Sequence, residues 1–316
     1  MTTFMTKRKI ILAKEEAVYN TDPTPTTADN AIDAYDVKVN YQSDVLERNI
    51  LRYTLSPVTP VIGKRYIEVQ FGMELKNGGT AGTASRIGDL LQACGFTETV
   101  SAGSSVTYTP ASDSHKSITL YVYDCNDAGS AVLHKVTGAR GNVSFDITAG
   151  QIAMANFQFQ GFYNTASDVT RPTGMAYETT KPPIVESASM SFSGVSTLCV
   201  QNVSIEMANE LQQNECINAS GAISEFAITG RKPNGTMNPE MTSVATIDLQ
   251  SLMLTPTESV LSIALGSTAG NKITFSAPKV TIDNISAGDK NGILVNDLPI
   301  RFNQSSGDDE LSIKFW

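Results

Sequence analysis

The stretch Tyr66-Ile-Glu-Val-Gln-Phe-Gly-Met-Glu-Leu75 alternates without a break. Ile67, Val69, Phe71, Met73 and Leu75 are apolar, and Glu68, Gln70, Gly72 and Glu74 separate them. Successive side chains of an extended chain point to opposite faces, so this period of two predicts a strand with one buried and one wet face. The pattern recurs at Val37–Tyr41, Ile118–Val122, Val143–Ile147, Phe157–Phe162, Val203–Met207, Leu261–Leu265, Ile273–Phe275, Val280–Ile282 and Leu311–Phe315. Turn formers punctuate it at Asn77-Gly-Gly79, Asp127-Ala-Gly129, Ala149-Gly150, Pro233-Asn-Gly235 and Ala287-Gly288. One segment has another period: Ile87, Leu90, Leu91 and Cys94 share one helix face. Ser85 is its expected N-cap and Gly95 its C′ residue. A second short helix is expected near Asp248–Met253. The class is mainly β, with one or two short helices.

At 316 residues and 41% hydrophobic, the chain is long enough for two average domains and apolar enough to bury a core. Global disorder is therefore excluded. Charged residues make up only 17%, against about 25% in ordinary proteins. Thirty Ser and 33 Thr fill the gap. A net charge of −9 argues against a wrapper of nucleic acid, which needs cations to neutralise phosphates. It suits a surface that DNA slides past without sticking.

No apolar run approaches the 18 or so residues of a spanning helix, so no membrane insertion is expected. The basic Lys7-Arg8-Lys9 precedes only Ile10-Ile11-Leu12-Ala13, shorter than a signal-peptide core, so synthesis in the cytoplasm is expected. Cys94, Cys125, Cys199 and Cys216 lie too far apart for zinc-ligand spacing and read as free thiols. Gly78-Gly-Thr-Ala-Gly82 resembles a phosphate cradle but lacks the following lysine. The acidic runs Glu15-Glu16 and Asp308-Asp309-Glu310 lack the alternating ligands of a calcium loop. His115 sits in an expected hairpin turn. With no nucleophile–base or paired-carboxylate arrangement, neither enzymatic activity nor a cofactor or metal is expected.

Residues 165–187 are polar and contain Pro172, Pro182 and Pro183, which marks a linker between expected domains at 1–170 and 185–316. The halves are alike. Val37, Val39, Tyr41, Asp44 and Val45 match Val203, Ile205, Met207, Glu210 and Leu211 at a constant offset of 166. Val143-Ser-Phe-Asp-Ile-Thr-Ala-Gly150 matches Val280-Thr-Ile-Asp-Asn-Ile-Ser-Ala-Gly288 at an initial offset of 137. The difference assigns about 29 extra residues to the first half, where the helix-bearing 76–100 region lies. Ordered anchors in both halves point to a tandem duplication.

Several segments resemble the tail tube, or major tail, proteins of long-tailed double-stranded DNA bacteriophages. They are Lys7–Pro25, Leu46-Glu-Arg-Asn-Ile-Leu-Arg52, Gly78–Thr99 with the following Val106-Thr-Tyr-Thr-Pro110, and Lys135–Asp146. The likeness covers residues 5–165, and the second half follows through the repeat. It implies two tandem β-sandwich or barrel-like tube domains flanked by a helix. It further implies rings, trimers with pseudo-sixfold symmetry, stacked into a hollow conduit for genome DNA in the virion tail. Terminator and baseplate proteins at the ends and a tape measure in the lumen would be further partners. Glu68, Gln70 and Glu74 then become candidates for the lumen surface. Irregular residues 42–65, with Leu46, Glu47, Arg48, Ile50, Leu51, Arg52 and Tyr53, become the candidate ring-to-ring arm. Phe315 and Trp316 are too apolar for a free terminus and are expected to dock on a neighbour or on the sandwich itself. The alternatives are a single-ring distal tail or baseplate-hub component, and a carbohydrate-binding β-sandwich adhesin. The adhesin lacks an aromatic platform, since the one Trp is terminal.

Overall fold

The computed structural model describes residues 3–186 and 188–316. Met1 and Thr2 of the first expected domain and Ser187 of the expected linker lie outside the described residues. Alternating segments become strands almost throughout. The first half holds β1 (Phe4–Glu15), β2 (Ala31–Ile32), β3 (Tyr35–Leu46), β4 (Val61–Glu74), α1 (Ile87–Ala93), β5 (Phe96–Ser101), β6 (Ser105–Pro110), β7 (Ile118–Asn126), β8 (Ser130–Thr148), β9 (Met154–Phe162) and β10 (Ser167–Thr170). The second holds β11 (Ser189–Phe192), β12 (Val200–Glu206), β13 (Asn209–Glu215), β14 (Ile223–Arg231), β15 (Asn234–Pro239), α2 (Leu249–Leu254), β16 (Ser259–Leu265), β17 (Ile273–Ile282), β18 (Ser286–Lys290), β19 (Ile293–Asn303) and β20 (Ser312–Phe315). The chain is mainly β and sandwich-like.

Two long strands organise it. The first part of β8 pairs with β7 in an outer sheet, and its last part pairs with β9 and β12 in an inner one. Likewise β17 begins beside β16 and β20 and ends beside β19. The inner sheet therefore runs β3-β4-β9-β8-β12-β15-β19-β17, eight antiparallel strands crossing both halves. Its core face carries Ile67, Val69, Phe71, Phe157, Phe159 and Phe145, all buried, and α1 adds Ile87, Leu90 and Leu91. Phe145 meets Phe275 edge-on at 5.2 Å, so the halves share one core. Each such buried aromatic stabilises the fold by about 2–3 kcal/mol.

Both halves have the same neighbours: β1-β7-β8 with β10 outside and β8-β9-β4-β3 inside, against β11-β16-β17 with β20 and β17-β19-β15-β12. The hairpins even share their irregularities. Bulges interrupt β3–β4 between Tyr35 and Lys38 and between Ser43 and Val45. Subtracting 166 places two bulges of the second half, between Val200 and Val203 and between Glu210 and Leu211, within one residue of these positions. Thus β12 with β13 corresponds to β3, and β14 with β15 to β4. The ladder then equates Gly141 with Ile282, an offset of 141. This is four residues away from the sequence match of Val143 to Val280, because that match aligned similar apolar residues two pleats apart on the same face.

Other expectations are corrected. A helix occupies the same place in both halves, and the extra length of the first half holds the β5–β6 hairpin instead. Ser85 does not cap α1. The Glu178 carboxylate does so, accepting from the Arg86 amide at 3.0 Å and from Ser85 Oγ at 3.1 Å. Gly95 takes the expected left-handed conformation, φ +83°. Residues 42–65 are not irregular throughout, since strand pairing continues to Leu46↔Val61 and leaves 47–60 as the loop. The expected turn Pro233-Asn-Gly235 opens β15 instead. A Cβ on Gly235 would lie 2.2 Å from the Ser204 carbonyl oxygen, so glycine serves close strand approach there. Ala287-Gly288 lies in β18.

Candidate functional site

Pleating sends Glu68, Gln70 and Glu74 to the face of β4 opposite the core, each half-exposed. Register aligns them with like residues across the sheet. Lys38, Gln70, Gln158 and Asn142 form one row, and Asp146, Ser204, Thr236 and Pro299 another. The face is hollowed. A groove of about 290 Å³ crosses β3, β4, β9, β8 and β12 and includes Asp36, Gln70 and Glu206. A second of about 470 Å³ crosses β8, β12, β15 and β19 and includes Asp146, Asn202 and Asp297.

Amides hold most of its carboxylates, and Arg301 pairs with Asp283 at 2.8 Å. Glu68 accepts from Gln42 Nε2 at 3.1 Å and Gln160 Nε2 at 3.2 Å. Asn142 Nδ2 donates to Glu206 at 3.2 Å and Asn156 Nδ2 to Asp146 at 2.8 Å. Tyr35 Oη donates to Glu74 at 2.6 Å, and that bond holds the phenol above its ordinary pKa. Arg140 and Lys64 on this face are matched by Glu225 and Glu215 of the β13–β14 hairpin. Beyond those pairs, seven carboxylates (Asp36, Glu68, Glu74, Asp146, Glu206, Asp283, Asp297) face three cations (Lys38, Lys279, Arg301), leaving −4. Neutral amide partners leave the charges of Glu68, Asp146 and Glu206 uncompensated. Among the described residues no group of three or more His, Cys, Asp or Glu gathers as metal ligands, and no helix is long and apolar enough to cross a membrane.

Both ends of the inner sheet are bare strand edges. Among the described residues, β3 pairs only with β4, and the run from Asp283 to Lys290 only with β19. Burial shows what pairing does. Val203, Ile205 and Met207 are fully buried where β12 meets β8, whereas their equivalents Val37 and Val39 are half-exposed and Tyr41 is exposed.

The distal hairpin β13–β14 folds over one end of the polar face of the first half, a packing that the sequence reading did not find. Phe226 is fully buried between Phe162, at 5.3 Å, and Tyr66, at 6.3 Å. Its amide donates to Tyr19 Oη at 2.8 Å, and its carbonyl accepts from Arg140, which also pairs with Glu225 at 2.7 Å. Burial pushes the Tyr19 phenol up to about 12. Extending the 166 offset beyond Leu211 would have exposed the hairpin, because Ile62-Gly-Lys-Arg65 falls on Ile228-Thr-Gly-Arg231.

The corresponding arm of the first half touches little. Leu46 ends β3, and Glu47, Arg48, Ile50, Leu51, Arg52 and Tyr53 are all exposed, Leu51 at 99% and Tyr53 at 106%. Phe315 and Trp316 lie elsewhere, on the sandwich of their own chain. Phe315 is buried edge-on against Tyr108 at 5.7 Å, and Trp316 donates to Thr274 Oγ1 between Lys272 and Lys314.

A family model described as phage tail tube protein matches residues 6–303, nearly the whole chain. The chain belongs to the phage tail tube protein family. No curated protein matches its sequence. A tail tube protein is a structural component of the virion tail that assembles with itself and with other tail components. The bare edges and exposed arm tip of this tail tube protein are surfaces on which assembly can act.

Proposed function

We propose that this chain is a two-domain tube subunit, with domains at 1–170 and 185–316, that forms rings and stacks them into a hollow conduit for DNA ejection. The observation that carries this reading is the inner sheet. Four strands from each half make eight, with a hollowed polar face on one side and an unpaired edge at each end. Such an edge is an aggregation hazard unless another strand covers it. Closed rings cover every edge, and three copies with two equivalent domains each give pseudo-sixfold symmetry.

The polar face, with Glu68, Gln70 and Glu74, lines the lumen in this arrangement. Its net negative charge repels phosphates, so DNA passes without being held. Other tail components contact the ends of the tube, and the chain itself performs no catalysis. The exposed tips at 48–56, with Leu51, Tyr53 and Leu55, reach the next ring. Ile217, the equivalent of Leu51, is equally bare at the tip of the second hairpin and supports a contact repeated by both domains.

Negative-stain electron microscopy of the purified protein across a concentration series tests the proposal. Striated hollow tubes of variable length, with end views of three copies per ring, are expected. Single closed rings at every concentration would favour a distal tail or baseplate component, and monomers throughout would overturn the assembly reading.

A further inference from the structure

We infer that the lateral seam between copies repeats the seam that each chain already makes between its own halves. The base of the 47–60 arm then docks on the second half of the neighbour in the same ring. This rests on the ring reading above. Within one chain, β12 pairs with β8 and β13–β14 lies across the first half. Among the described residues, the equivalent donor, β3 with its arm, has β4 on one side and nothing on the other. The equivalent acceptor is also vacant: a groove of about 610 Å³ bounded by Lys232, Asp283, Arg301 and Asn303. The occupant is therefore a second copy, presenting β3 and its arm.

The side chains across the two seams are matched pair by pair. Gln213 Nε2 donates to Gln160 in the internal seam. The ladder equivalents are Glu47 and Arg301; Arg301 already pairs with Asp283 of its own chain at 2.8 Å, so Glu47 joins an existing ion pair. Asn142 Nδ2 donates to Glu206 internally. The equivalents are Asp283 and Asn40, where amide and carboxylate exchange sides. Arg140 and Glu225 form an internal ion pair. Their equivalents are Thr281 and Thr59, both uncharged. Lys64 and Glu215 pair at 2.9 Å. Their equivalents, Gly230 and Asn49, are also uncharged. At none of these positions would docking strand a lone charge, the costly outcome at an interface. The aromatic cluster around Phe226 is not repeated, since Pro60, Lys232 and Asn303 replace Phe226, Tyr66 and Phe162. The polar pairs and the strand edge set the register of this seam instead.

The sequence reading assigned the whole arm to ring-to-ring contact. The internal hairpin divides it, with a base, including Glu47, on the lateral neighbour and a tip beyond.

Cross-linking distinguishes these contacts. Glu47→Cys with Arg301→Cys, in a Cys199→Ser/Cys216→Ser background, is assembled, imaged and treated with a short bis-maleimide. Both new positions are exposed, so folding is not at stake. Lateral docking gives a covalent product that stops at one closed ring, three chains in the reading above. A ladder running on without limit would put the base on the next ring and overturn the inference. Absence of cross-links in imaged tubes would overturn it while leaving the tube itself standing. Failure of the wild type to form rings would remove both. Glu47→Arg is expected to raise the critical concentration about fivefold, and adding Arg301→Glu to restore it. No change in the single variant would contradict the pairing.

Discussion

Reversing the charge of the polar face should slow DNA passage without preventing assembly. The variant is Glu68→Lys/Gln70→Lys/Glu74→Lys. These side chains are half-exposed on the face opposite the core, so the sandwich does not depend on them. Two Glu→Lys changes and one Gln→Lys change add five units of charge per chain, taking the face from −4 to +1. One unit of charge about 10 Å from a phosphate contributes about 0.4 kcal/mol in water, and about 0.1 after screening at physiological salt. Five units shift the interaction by about 0.6 kcal/mol per chain, close to thermal energy, and every copy along the tube adds its own share. Repulsion becomes attraction, and the moving duplex is held. The assay is ejection kinetics from phage carrying the variant, after microscopy has confirmed normal tails. Ejection should be slow at low salt and recover as ionic strength rises. Glu68→Gln/Glu74→Gln, which neutralises without reversing, should fall between. Wild-type ejection at low salt from normally assembled variant tails would refute the lumen assignment.

Three further outcomes are expected. Leu51→Ser/Tyr53→Ser/Leu55→Ser should give rings that stack poorly, seen by microscopy as short tubes or free rings; unchanged tube lengths would remove the tip from the stacking contact. Phe226→Ala should destabilise the chain by about 3–4 kcal/mol in urea unfolding, because it empties a fully buried site between Phe162 and Tyr66. Hydrogen exchange should localise the loss to 209–231, and uniform loss would deny the hairpin its independence. Asp308 lies below its ordinary carboxyl pKa of 3.8 because Ser112 donates to it and Arg231 pairs with it, against the opposing effect of partial burial. A lowered folded pKa adds stability that is present above the unfolded value and lost as pH falls through the folded one. Asp308→Asn should therefore be less stable than wild type at about pH 6 and differ little from it near about pH 2, as measured by thermal unfolding.

Much of the fold was legible because half-buried strands write their period into the chain. Tyr66–Leu75 gives its face assignment residue by residue, and the offset of 166 is carried by the same alternation. Other features had no local signature. Glu178 caps α1 although it lies 92 residues beyond Arg86 in the chain. Its carboxylate reaches the Arg86 amide only because the 171–183 segment crosses over the first half. Gly235 read as a turn because glycine serves a turn and a close strand approach equally well. The β13–β14 hairpin was overlooked because Gln212, Gln213, Asn214 and Glu215 lack apolar alternation. That strand is held by its partner and by polar contacts with Gln160 and Asn142, so composition does not reveal it. The polar face was located correctly as a face, but its extent over eight strands depends on the β8–β12 pairing, which joins residues far apart in sequence.

The duplication has an energetic consequence for assembly. Six single-domain copies closing a ring must form six seams between separate molecules. In the proposed ring, three copies of this chain form three, because the β8–β12 pairing is already made within the chain. Each association step costs an estimated 4–15 kcal/mol in lost translational and rotational freedom, and joining three bodies takes two such steps where joining six takes five. The free edge must meanwhile resist wrong partners. Asp36, Lys38 and Asn40 interrupt β3, and Asp36 adopts a left-handed φ of +51° beside the first bulge. Charge and a bulge are both devices that discourage indiscriminate edge pairing. In the proposed seam, such an edge would accept a strand that brings the matching positions, Asp283 for Asn40 and Arg301 for Glu47. Selectivity of this kind would allow the chain to remain unpaired until it meets its own second half on another copy.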